Sequence, residues 1–122
     1  MTKSQMTLKG HTGRIKCLQI LPGDKIVSGS NDSMIKIWDS VTGECLVTLR
    51  GHDSAVSALG ILPDGRIVSG SCDCTIKIWD PLTGSCDMTL KGHTHWINSI
   101  VVTPNDGYIY SGSIDGTVRR WI

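Results

Sequence analysis

Apolar residues in this chain come in short dense runs, and turn-forming residues interrupt them every few positions. Over the first fifty residues the runs are "IKCLQIL", "KIVSGS", "MIKIWD" and "CLVTL", separated by "PGD", "ND" and "SVTGE". Runs rich in Ile, Val and Leu and bounded by Pro, Gly, Asp and Asn predict β-strands joined by tight turns. Nowhere do apolar residues keep helical spacing over ten or more positions without an interrupting Gly, Pro or Asp, so no helix is expected. In "IKIW" the Lys36 stem is the only break in an apolar run, which suits a small sheet sandwiched between two others.

The pattern repeats. Gly-His stands at Gly10-His11, Gly51-His52 and Gly92-His93, 41 residues apart in both steps, and "MTLKGHT" at Met6 to Thr12 returns unchanged at Met88 to Thr94. Trp38 and Trp79 keep this period. Trp121 comes one residue late, because the third copy has "TPNDGY" where the second has "LPDGR", an insertion that a Pro/Asp/Gly turn absorbs. A period near forty is the mark of a repeat architecture, each unit here being a four-stranded antiparallel meander.

Gly-His, then Ser-Gly-Ser-x-Asp, then Ile-Lys-Ile-Trp-Asp, in three copies covering essentially the whole chain, resembles the WD40 repeat. The resemblance implies an all-β fold of β-propeller blades, three four-stranded antiparallel blades per chain, with the first strand of each lining a central channel. It also implies a buried polar tetrad in each unit: His11, Ser28, Asp32 and Trp38; His52, Ser69, Asp73 and Trp79; His93, Ser111, Asp115 and Trp121. An indole N–H, a hydroxyl, an imidazole and a carboxylate can satisfy one another inside an apolar interface, and these residues are read as structural. The competing reading, a Ser-His-Asp catalytic triad, would require three near-identical nucleophilic sites in one chain. The "SGS" stretches match neither a P-loop nor a dinucleotide fingerprint, and no enzyme activity or cofactor is expected.

The four-strand unit, laid on the chain, gives one domain over residues 1–122, with blade units over about 5–46, 46–87 and 87–122. Residues Gln5 to Lys9 align with the fourth strand of the internal blades, and the third unit breaks off after its third strand. A ring of three blades would need about 120° per blade, against about 51° for seven, and is excluded. An open arc would expose two apolar faces. The expectation is therefore a ring closed by homo-oligomerisation, the N-terminal strand of one chain completing the last blade of the next. Two chains make six blades at about 60° each, and three make nine at about 40°. The alternative is a piece of a longer chain, or a structural propeller, evolutionary intermediate or design, without a partner of its own.

Composition narrows the function. Twelve basic and eleven acidic residues leave a formal charge of +1, which gives no broad attraction to nucleic acid or anionic membrane. No secretory leader or membrane span is legible, and the expected location is cytosolic or nuclear. The five cysteines are odd in number and read as reduced thiols. "CDC" at Cys72 to Cys74 lacks a second Cys/His pair at metal-site spacing, so no metal is expected. The family resemblance implies a rigid platform for protein or peptide partners, contacted on one rim through Thr12, Arg14 and Asn31; Asp53, Ala55 and Cys72; and Thr94, Trp96 and Ile114. Trp96, where the other copies have Arg14 and Ala55, either offers an aromatic wall to a peptide or cation beside His95, or packs over the channel mouth.

Overall fold

The computed structural model describes residues 3–122, and all its regular structure is β-strand. Strands β1 (Ile15–Leu21), β2 (Lys25–Ser30), β3 (Ile35–Asp39) and β4 (Cys45–Leu49) form the first antiparallel sheet. Strands β5 (Val56–Ile61), β6 (Ile67–Ser71), β7 (Thr75–Trp79) and β8 (Cys86–Lys91) form the second, and β9 (Ile97–Val102), β10 (Ile109–Ser113) and β11 (Val118–Trp121) the third. Each is a meander in sequence order, as the turn chemistry requires.

The third sheet has three strands, as the repeat predicts for a unit that breaks off after its third strand. Gln5 to Lys9, read as a fourth strand, is not in a strand, because the edge its sequence matches is β11, on the third sheet rather than on the sheet beside it. The segment is nevertheless placed. A side chain at Gly84 would meet Val47 and Leu49 of β4 at 3.4 and 3.6 Å; one at Gly43, a period earlier, would meet Met6 and Leu8 at 3.0 and 3.9 Å. Met6 and Leu8 thus lie against the first blade where β4 lies against the second.

The core sits between blades. Leu21, Val27, Ile35, Ile37 and Leu49 of the first sheet pack on Val56, Leu59, Ile67 and Trp79 of the second; Leu62, Val68, Ile76 and Ile78 of the second pack on Ile97 and Ile109 of the third. The middle glycine of the first two "SGS" stretches allows this approach. A Cβ on Gly29 would stand 2.7 Å from Val56, and one on Gly70 would stand 2.6 Å from Ile97, far inside van der Waals contact.

Candidate functional site

Three groups of residues are candidates for function: the tetrads, the rim of the channel, and the outward faces of the first and third blades. The tetrads form in all three units. His11 Nδ1 is 2.8 Å from Asp32 and its Nε2 is 2.7 Å from Ser28 Oγ, which also accepts the Trp38 indole N–H at 2.8 Å. His52, Asp73, Ser69 and Trp79 repeat this at 2.8, 2.6 and 2.8 Å, and His93, Asp115, Ser111 and Trp121 at 2.9, 2.7 and 2.9 Å.

Each aspartate also fastens the loop around it. Asp32 accepts the backbone N–H of Thr12 and Met34, Asp73 those of Asp53 and Thr75, and Asp115 those of Thr94 and Thr117. Burial pushes the Asp73 carboxyl up, but hydrogen bonds from His52, Thr75 and Asp53 outweigh it and leave the group well below the usual carboxylate range. Asp32 is lowered in the same way, by Met34, His11 and Thr12 against its burial. At Asp115 the Thr117 hydroxyl is the largest influence and also lowers it. Each tetrad serine hydroxyl is shared between a histidine and an indole inside the fold.

At the rim, Asn31, Ala55, Cys72, Trp96 and Ile114 line one cavity of about 320 Å³. Thr12, Arg14, Asp53 and Thr94 lie outside it; the backbone N–H groups of Thr12, Asp53 and Thr94 are spent on the tetrad carboxylates. Trp96 is half-exposed, its ring edge-on to His95 at 5.5 Å, and Ile114 is equally open beside it. Sequence reasoning missed five other residues lining the cavity, Lys16, Ser54, Ser57, Ile97 and Asn98. Lys16, Ser57 and Asn98 each sit where the first strand of a blade slips register against the second, at Ile15/Cys17, Val56/Ala58 and opposite Gly112/Ser113. A bulge re-aims the extra side chain. Their own spacing of 41 was the available signal.

The two outward faces carry apolar residues whose counterparts between blades are buried. Val56 and Ile97 are fully buried, whereas Ile15 at the same position of the first blade is 49% exposed; Leu18 is 62% exposed where Leu59 is buried. On the third blade Val118 is 76% exposed where Ile35 and Ile76 are buried, and the outer edge of β11 carries no strand among the described residues.

A family model described as "WD domain, G-beta repeat" (WD40) matches residues 2–39, 43–80 and 84–121. Each matched unit thus opens with a fourth-strand sequence and closes after a third strand. Among characterised relatives, the ribosome biogenesis protein BOP1 homolog of Drosophila melanogaster is 39% identical over 46 residues, 37% of this chain and 6% of that protein. F-box/WD repeat-containing protein 7 of Drosophila melanogaster is 52% identical over 40 residues, 32% of this chain and 3% of that protein. The chain therefore spans a small fraction of the length of these relatives. The crystal structure of the WD40 beta propeller domain of Doa1 superposes with a TM-score of 0.85 at 35% identity, covering 90% of this chain and 37% of that one.

Proposed function

Because this chain belongs to the WD40 repeat family, we propose that it is a non-enzymatic protein-interaction scaffold whose copies join head to tail into a closed propeller. In that ring Met6 to Leu8 of one chain become the fourth strand of the next chain's third blade. The observation that carries the reading is the pair of unneighboured faces, Ile15 and Leu18 at one end and Val118 with the open edge of β11 at the other. Each is made of the residues that are buried wherever two blades meet inside the chain. Burying them removes apolar surface from water at roughly 25 cal/mol per Å², and pairing β11 removes an edge that otherwise invites aggregation.

The register follows from the period. Ile76, Lys77 and Ile78 pair with Leu90, Thr89 and Met88, so Val118, Arg119 and Arg120 pair with Leu8, Thr7 and Met6 of the neighbour. Lys36 and Lys77 each donate to a fourth-strand threonine, Thr48 and Thr89, at 2.9 Å. Arg119 stands in the same place and reaches Thr7. Two copies make a six-bladed homodimer and three a nine-bladed homotrimer, and the closed rim presents a Trp96 and its cavity once per copy, a repeated surface for a protein or peptide ligand.

Amide hydrogen exchange tests the join. Slow exchange at Met6 to Leu8 and along β11 that is lost on dilution is the expected result; fast exchange at Met6 to Leu8 at every concentration sinks the reading. For the rim, Trp96→Ala is expected to leave the melting temperature within a few degrees of the wild type and to remove binding of any peptide selected against the wild-type ring. Unchanged peptide binding would place the ligand elsewhere.

A further inference from the structure

The position just before the tetrad tryptophan is Ile37, Ile78 and Arg120 in the three units, and the position just after it is Asp39, Asp80 and Ile122. Where the second blade meets the third, Ile78 and Ile122 line one groove of about 390 Å³, together with Met88, Leu90 and Ile109 and the charged Asp64, Arg66 and Asp106. The same groove transposed to the join between copies has Arg120 from one chain in the place of Ile78. In the place of Ile122 it has Asp39 from the next chain, with Met6, Leu8 and Ile26 as the apolar surround. Ile78 with Ile122 at this join, and Ile37 with Asp80 at the join before it, become a base facing an acid between chains.

From this exchange we infer that Arg120 and Asp39 form an ion pair across the join, an inference that rests on the head-to-tail reading above. Arg120 is exposed in the single chain, where it lies over the Tyr108 ring at 4.9 Å. Its charge already reaches Asp106 on the same blade, and covering the guanidinium with a neighbouring blade favours a second acid from the other side. Asp39 is half-buried at the end of β3, and its Oδ1 takes the N–H groups of Val41 and Thr42, leaving Oδ2 as the acceptor for a guanidinium. Lys25, paired with Asp39 across the sheet, adds a second cation on the same blade. The pair gives the join a direction, since a third blade set against another third blade brings Arg120 to Arg120.

The test measures the assembly constant of the full chain by sedimentation equilibrium at low and high salt. The variants are Arg120→Gln; Asp39→Asn, which keeps the Oδ1 acceptor of the turn; their double; and Arg50→Gln as a charge-loss control beside Met34. Each of the two single variants is expected to weaken assembly about tenfold, the double no more than either, and high salt to narrow the difference. Arg50→Gln is expected to change nothing. Single variants that assemble like the wild type, or a double variant whose loss is the product of the two singles, overturn the ion pair while leaving the ring intact. A wild-type chain that stays monomeric at every concentration overturns both, and circular dichroism of each variant separates a lost join from a lost fold.

Discussion

Gly112→Ala separates the fold of the chain from the join between chains. Gly29, Gly70 and Gly112 are equivalent, and at the first two an added Cβ would strike the following blade, 2.7 Å from Val56 and 2.6 Å from Ile97. At Gly112 the same methyl clashes with the Ser99 Oγ, at 2.5 Å, while Asn98 Oδ1 at 3.7 Å and the Ser99 Cβ at 3.9 Å are in ordinary contact, so a change of the serine rotamer relieves it. In the ring the residue facing Gly112 is Ile15 of the next copy, the counterpart of Val56 and Ile97. An overlap of this size costs about 1–3 kcal/mol, which weakens each join by about 5- to 140-fold. In the isolated chain the substitution costs about 1 kcal/mol or less, since alanine is otherwise better than glycine in a strand. Sedimentation equilibrium gives the first quantity and urea unfolding of the dilute chain the second, with Gly70→Ala as the reverse case that destabilises the chain itself. Gly112→Ala assembling like the wild type would mean that Ile15 of another copy does not pack there, and the reasoning would fail.

Ser69→Ala leaves the His52 imidazole and the Trp79 indole without their shared acceptor inside the fold, and a loss of about 2–4 kcal/mol is expected in urea unfolding; a loss below half a kilocalorie would show that the tetrad does not hold the blade. Cys74 has φ of 74° in the turn where the third unit has Gly116 at 85°, so Cys74→Gly is expected to stabilise the chain by about 1 kcal/mol, read from the same curves. The folded Asp32, Asp73 and Asp115 carboxyls lie below their unfolded values. Their contribution is therefore full above about pH 4 and falls as the pH drops below it, because the unfolded chain then binds protons that the folded one refuses. Thermal melts from pH 7 down to pH 2 should show the decline beginning near pH 4, and a flat profile would contradict the lowered carboxyls.

The strands and the tetrads were legible because each depends on residues close in sequence or locked to the 41-residue period. "IKIW" alternates with turn residues whatever surrounds it, and His52, Ser69, Asp73 and Trp79 meet because one meander folds on itself. What was hidden depends on contacts between blades. Nothing in the run "IKCLQIL" distinguishes Ile15 and Leu18 from the buried Val56 and Leu59, since their exposure depends on whether another blade packs against them. The bulge that turns Lys16, Ser57 and Asn98 into the rim cavity is a property of register, which carries no residue signature beyond the period itself. Ser33 and Cys74 hide a left-handed turn that only Gly116 announces. Arg120 reads as an ordinary surface arginine, and only the groove lined by its counterpart Ile78 sets the position apart.

The mass of the intact chain under native conditions, taken by mass spectrometry over a range of concentrations, tests the head-to-tail ring most directly. The account predicts one discrete species at two or three times 13.2 kDa, with monomer appearing only on strong dilution. A chain that remains at 13.2 kDa, or spreads into a ladder of masses without a closed member, would contradict it.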